Sequence, residues 1–428
     1  MLLRGAFVGS LDPVTLATTD LRVEGGRITA RGALVREPGE EVLELAGRLI
    51  LPGLVNAHTH LYSALARGMP GPGTPPRNFI EILEKVWWKL DRALDEESVY
   101  CSALAGAIEA ALSGTTLVID HHASPSFIGG SLDVVRRAVE EVGLRGVLCY
   151  EATDRNGPAQ RDAGIEESAR FAAAARTETM RGMIGAHASF TLSDDALAGL
   201  ARAVESTGTA FHIHVAEDRA DIEDCQARHG ISIPERLFRF GLVHSRAILA
   251  HATHLSSPEI DEIEKRGGWI AHQPRSNLNN HVGTAPTAAF RRAALGTDGM
   301  DSDMLAEARA AFLKMRDAGR EDAFAAALEL LAGGHRLAAA IFGLPFGKLD
   351  AQAPADLVVF DYRPPTPLTP ENLGGHLLFG LDRSHVASVM VAGRFVVRER
   401  RLTTLDAETA MARARRAAPL LWQRMAKL

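Results

Sequence analysis

Leu54-Val55-Asn56-Ala57-His58-Thr59-His60 is an apolar run that closes on two histidines one residue apart. Side chains of an extended chain alternate faces with period two, so His58 and His60 share a face. Comparable apolar runs recur at Thr115–Asp120, Gly146–Tyr150, Met183–Ala186, Ala210–Val215, Ala247–Ala250, Trp269–His272 and Ala294–Gly296. Segments between them, such as Ser131–Val142 and Asp195–Ser206, carry helical spacing. Repeated strand–helix units imply a parallel sheet, and eight strands imply an α/β fold closed into a (β/α)8 TIM barrel.

Outside these runs the pattern changes. Leu21–Ala30 alternates polar and apolar residues about Gly25-Gly26, and the same alternation returns at Ala355–Asp361 and Val386–Val397. Each set of strands buries only one face, so the two ends are expected to pack into one small β-sandwich. The expected organisation is sandwich over 1–52 and 349–402, barrel over 53–348 and a terminal helix over 403–428. That helix places Met411, Ala414, Ala418 and Leu421 on one face, and Pro419 predicts a kink or break. Gly68–Pro76 reads as an active-site loop, and Phe79–Leu94, with Trp87 and Trp88, reads as a helix covering the barrel mouth.

The 428 residues are 46% hydrophobic and 23% charged, enough to bury a large core. A net charge of −6 gives no sign of a nucleic-acid or anionic-membrane surface. Cys101, Cys149 and Cys225 lie far apart without C-x-x-C spacing, as buried thiols of a reducing compartment do. The apolar run at the N-terminus is too short for a signal peptide, and no stretch reads as long enough to span a bilayer. The expected location is cytoplasmic.

Functional groups of such a barrel gather where the strands end. His58 and His60 close the first run; His212 and His214 close the fifth, with Glu217 just beyond it. His214, nearer the mouth, reads as a ligand, and His212 as a hydrogen-bonded core histidine. His251 closes the sixth run, and Asp298 follows the eighth between glycines. Asp301 and Asp303 lie further out and read as loop residues. Singly, each such residue is more often structural than catalytic. Histidines and an aspartate closing four strands form a constellation that chance explains poorly, and imidazole with carboxylate suits a metal. His121 and His122 close the second run; one of them faces the pocket, and His122 stands as the substrate-side candidate. Glu151, Asp154 and Arg155 follow the third run and either bind substrate or form loop salt bridges. His272, Arg275, Ser276, Asn277 and Asn280, at or beyond the seventh, either line the site or shape a turn.

The motifs Pro52-Gly53-Leu54-Val55-Asn56-Ala57-His58-Thr59-His60, His212-Ile213-His214-Val215-Ala216-Glu217, Ala250-His251-Ala252-Thr253-His254-Leu255 and Leu295-Gly296-Thr297-Asp298-Gly299 resemble those of the amidohydrolase superfamily. The resemblance is to its branch of nucleobase, adenosyl-homocysteine and triazine hydrolases, and it covers almost the whole chain. Pro76–Leu90 and Ile119–Pro125 further resemble the SsnA-type aminohydrolases. The resemblance implies that His58, His60, His214 and Asp298 hold one divalent metal ion, Zn²⁺ ahead of Fe²⁺ or Mn²⁺. It makes Glu217 the proton shuttle, His251 and Asp298 partners of the attacking water, and His187 and Ser302 substrate-side residues. The implied reaction is hydrolytic deamination of a purine-, pterin- or pyrimidine-like small molecule with release of ammonia. The alternatives are loss of chloride or alkylamine from a triazine-like ring, and a barrel kept without catalysis. Two-metal members bridge their ions with a carboxylated lysine. No lysine lies between Lys89 and Lys265 here, so one ion is expected. Relatives imply a homodimer or larger assembly.

Overall fold

A computed structural model describes residues 1–428. Its centre is a curled parallel sheet of β1 (Leu54–His60), β2 (Thr115–His122), β3 (Arg145–Ala152), β4 (Ile184–Ala188), β5 (Phe211–Val215), β6 (Ile248–His251), β7 (Trp269–His272), β8 (Ala293–Leu295) and β9 (Asp298–Gly299). Neighbours in the sheet run in the order β8-β7-β6-β5-β4-β3-β2-β1-β9, and the short strand Met180–Gly182 joins β3. Nearly every residue of these strands is buried, as expected when helices cover the outer face and side chains fill the inner one.

β8 and β9 are pieces of one extended segment interrupted at Gly296-Thr297. β8 pairs with β7, whereas β9 pairs with β1, Asp298 opposite Thr59, so the two edges of the sheet meet across this break. Asn56 replaces the missing ladder. Its amide donates to Thr297 Oγ1 (2.7 Å), and its carbonyl oxygen accepts from the Thr297 N–H (3.0 Å). Gly296 is needed at the break because a Cβ there would lie 2.6 Å from the His58 carbonyl oxygen.

The two chain ends hydrogen-bond into one nine-stranded sheet. Leu49–Pro52 from the first end pairs antiparallel with Leu357–Phe360 from the second. Leu3, Val8, Leu21, Ile50, Leu357 and Met390 share a single apolar cluster drawn from both ends. The ends therefore join edge to edge as well as sharing a core. Arg145 at the start of β3 ties this sheet to the curled one through two bonds to Asp356 (2.6 and 2.9 Å), both side chains being almost fully buried.

Two sequence expectations change. Pro419 sits inside a continuous helix, Ala407–Met425, with no break. That helix braces the site region: Trp422 Nε1 donates to the Leu65 carbonyl (2.9 Å) and Arg424 Nε to that of Ala93 (2.7 Å). Ala323–Phe342, unnoticed in the sequence, is one helix long and apolar enough to cross a membrane. Here it lies on the curled sheet, mostly buried, which requires an apolar surface around most of its circumference.

Asp356→Ala leaves Arg145 charged and unpaired in the interior, and should cost about 3–5 kcal/mol in urea unfolding. A loss of about 1 kcal/mol or less, as for an exposed pair, would remove this contact as the tie between the sheets.

Candidate metal centre

The C-terminal ends of β1, β5 and β6 and the first residue of β9 place four imidazoles and a carboxylate around one buried point. His60 Nε2 lies 3.1 Å from Asp298 Oδ1, and His58 Nε2 lies 3.6 Å from the same oxygen. His60 and His214 approach Nε2 to Nε2 at 3.2 Å. His251 Nε2 is 3.8 Å from Asp298 Oδ2 and 3.4 Å from Glu217 Oε2. Five sets of potential donor atoms each fit within 4.8 Å: His58/His60/Asp298, His58/His214/His251 and Glu217/His251/Asp298 about this point, and His60/His121/Glu151/His214 and His121/Cys149/His212 overlapping it.

The hydrogen bonds on the far side of each ring decide where its lone pair points. His60 Nδ1 donates to the His121 carbonyl oxygen (2.6 Å) and His214 Nδ1 to that of His187 (2.8 Å). His251 Nδ1 donates to Asn277 Oδ1 (2.9 Å), an oxygen oriented by the Asn277 amide bond to Thr253 (3.1 Å). His58 Nδ1 is held 2.9 Å from His212 Nε2, which makes His212 a support one layer deeper. Each Nε2 is thus left to face the centre. Those of His58 and His251 are buried without any partner. Buried lone pairs aimed at one another are satisfied by a cation, so these residues fit a divalent metal. Imidazole nitrogens together with a carboxylate suit Zn²⁺, Fe²⁺ or Mn²⁺. Burial lowers His58 to about 3 and His214 well below its usual value, leaving both in the neutral form a metal needs, whereas against the cost of burial the Asp298 carboxylate raises His60 to about 9, so a cation there has to displace a proton. Against the cost of burial, His58 and His60 hold the Asp298 carboxyl well below the usual range.

The backbone is strained at these positions. Ala216, His251, Ala252 and Asp298 have φ of 48, 73, 51 and 61°, values that non-glycine residues rarely adopt away from functional sites.

Glu217 stands beside His251 in an environment that raises it to about 7, through burial and then the neighbouring Asp298 charge, with His251 opposing. A carboxyl with that affinity exchanges protons near neutrality. The short helix Pro274–Asn279 ties both carboxylates together. Ser276 Oγ donates to Asp298 Oδ2 (2.5 Å), and Asn280 donates to Glu217 Oε1 (3.3 Å) and Ser276 Oγ (3.4 Å).

These groups open on a cavity of about 250 Å³. Phe79, Leu83, Trp87 and Trp88 of the segment 79–93, which contains a π-turn at Leu83–Trp87, form part of its wall. His187 lines it too, with Nδ1 2.8 Å from Thr191 Oγ1. Two of the expected substrate-side residues lie outside the cavity lining. His122 is off the wall, its Nε2 bonded to Ser124 Oγ (2.8 Å) and its ring against Tyr62 and Tyr150. His121 is the one that turns toward the cluster, its ring 4.6 Å from that of His214 and its Nδ1 3.2 Å from Glu151 Oε2. Ser302 is buried off the wall as well, although Met300 and Asp301 beside it line the cavity. Glu151, left open in the sequence, lines the cavity, and so do Arg275, Ser276 and Asn280. His272 and Asn277 do not, although Asn277 orients His251.

The Amidohydrolase family model matches residues 49–396. A 5-methylthioadenosine/S-adenosylhomocysteine deaminase of Desulforudis audaxviator is 33% identical, over 98% of both chains. A 5'-deoxyadenosine deaminase of Methanosarcina mazei is 28% identical over 99% of both. An adenosine deaminase from Xanthomonas campestris, solved with bound zinc, superposes with a TM-score of 0.87 at 24% identity, covering 100% of this chain and 98% of its own. That likeness is one of fold.

Ser276→Ala should cost about 10–100-fold in metal affinity or turnover, the usual effect of losing a residue that orients a ligand. Metal titration of the apoprotein and steady-state rates check this, and wild-type values for both would take Ser276 out of the site. His214→Ala should lose stoichiometric metal by elemental analysis.

Proposed function

Since this chain belongs to the amidohydrolase family, we propose that it is a metal-dependent aminohydrolase that replaces the amino group of an adenosine-type ring by oxygen and releases ammonia. Its scaffold in this reading is a (β/α)8 barrel over 53–348, closed at Asn56–Thr297. A small sandwich from 1–52 and 349–402 and the helix 403–428 complete it. The observation that carries the reading is the meeting of four pinned imidazoles with Asp298 beside a carboxyl that holds a proton near neutrality.

His58, His60, His214 and Asp298 would hold a single divalent ion, zinc being the first choice. Such an ion, when bound, lowers the pKa of water to about 7 from roughly 15.7. Asp298 Oδ2, aimed by Ser276, takes one proton from the attacking water, and the free Nε2 of His251 orients that water. Glu217 delivers its proton to the ring nitrogen beside the attacked carbon. The proton on Asp298 then passes to the amino group, ammonia leaves, and the remaining hydroxyl proton returns to Glu217. Water's two protons are thereby accounted for, one on ammonia and one on the regenerated carboxyl. A shuttle carboxyl favours an amino over a chloride leaving group, because only the former must be protonated. The complete ligand set argues against a barrel kept without catalysis. Cys101, Cys149 and Cys225, all buried and unpaired, support a reducing cytoplasmic compartment.

The test is ammonia release from purines, adenosine derivatives, pterins, pyrimidines and triazines by metal-loaded protein. No ammonia from any of them would end the proposal. Glu217→Gln should retain its metal while turnover falls about 10²–10⁴-fold; a fully active variant would take Glu217 out of the mechanism.

A further inference from the structure

The hydrogen bonds that hold the imidazole cluster continue beneath it. His58 Nδ1 lies 2.9 Å from His212 Nε2, and His212 Nδ1 lies 3.9 Å from Cys149 Sγ, the only hydrogen-bonding contact that nitrogen has. The sulfur lies 3.6 Å from the Asp120 carbonyl oxygen. His58, His212 and Cys149 are at most 1% exposed, so bulk water does not reach this row. Gly185 makes room for the sulfur, since a Cβ there would lie 2.8 Å from it. Burial keeps both imidazoles neutral and the thiol protonated. Two neutral imidazoles that face each other through ring nitrogens share a single hydrogen, so the row can point either way. In one direction His58 and His212 both carry hydrogen on Nδ1, and the His58 Nε2 lone pair faces the cation site. In the other the thiol donates to His212 Nδ1, His212 Nε2 donates to His58 Nδ1, and His58 turns an Nε2–H on the site. Both directions hold the same hydrogens, and only the first admits a cation. The far end of the row decides between them. The Asp120 carbonyl can only accept, so it takes the thiol hydrogen and leaves a sulfur lone pair for the His212 Nδ1–H.

We propose that Cys149 is a positioning residue of the metal centre, setting through His212 the tautomer in which His58 presents Nε2 to a cation. The proposal rests on His58 being a metal ligand and needs no assumption about the substrate. A thiol suits the place because it is donor and acceptor at once, with a hydrogen for the carbonyl and a lone pair for the imidazole. A buried cysteine that only fills space would leave the tautomer free. The donor atoms of His121, Cys149 and His212 also lie within 4.8 Å of one another. A cation held there would use the sulfur as a thiolate ligand rather than as a thiol, and the experiment separates the two.

Nitrogen NMR of the histidine side chains in the metal-free full chain reads the tautomer directly. His58 should carry its hydrogen on Nδ1 in the unaltered chain, and on both nitrogens in exchange in Cys149→Ala. Competition with a chromophoric chelator should show Zn²⁺ affinity falling about 10-fold in Cys149→Ala, the low end for loss of an outer partner because the sulfur acts at one remove. Cys149→Ser, which keeps a donor and an acceptor, should recover most of that loss. None of these readouts needs turnover, so they stand if the aminohydrolase reading fails. The tautomer of the unaltered chain decides the matter even if Cys149→Ala does not fold. Hydrogen on His58 Nε2 in the unaltered chain, an alanine variant with unchanged tautomer or affinity, a serine variant as weak as alanine, or a thiolate-to-cobalt absorption band in the Co²⁺-loaded chain would overturn the proposal.

Discussion

His58, His60, His214 and His251 each spend one ring nitrogen on a fixed hydrogen bond and turn the other toward a shared point. In a buried site these inward lone pairs have no water to satisfy them, and they repel one another. Asp298 reaches the same point with a carboxylate. A divalent cation would resolve this arrangement: in the proposed reading it takes His58, His60, His214 and Asp298, offsets the carboxylate charge and leaves the Nε2 of His251 to the attacking water. The supporting partners, backbone carbonyls of β2 and β4 and the side chains of His212 and Asn277, are therefore as much part of the centre as the imidazoles.

That arrangement needs the sheet to curl until its edges meet, and the meeting point is where the last strand breaks. Asn56 bridges the break through its side chain, and Gly296 lets the chain pass against His58. The break also frees Asp298 to adopt a left-handed backbone. A regular strand would pair Asp298 in the ladder and hold its carboxylate in an extended geometry. Ser276 and Asn280, one helical turn apart, then fix the two carboxylates relative to each other.

Electrostatics also order the cavity. Around the imidazoles, charge is arranged for a cation. On the Asp91–Glu151 side Arg155 is held by Asp91 behind the lining. Arg275 lines the cavity itself, with its guanidinium bound to Asp301 and Glu307. The curled sheet by itself does not require these ion pairs.

The sequence by itself determined the eight strand positions, since buried parallel strands are written as apolar runs. It also placed His58, His60, His214, His251 and Asp298 at strand ends, and Glu217 just beyond one, because parity and chain order are local properties. The lack of any lysine between Lys89 and Lys265 is equally plain in the chain alone. Only the tertiary structure decided that His121 rather than His122 turns to the cluster, and that Ser302 leaves the wall. It alone brought Asn56 to Thr297 across 241 positions and set Ser276, Asn280 and Glu151 against the site. These outcomes depend on how the sheet curls and where loops return, and those are set by packing between distant segments. A local pattern of residues carries no record of that.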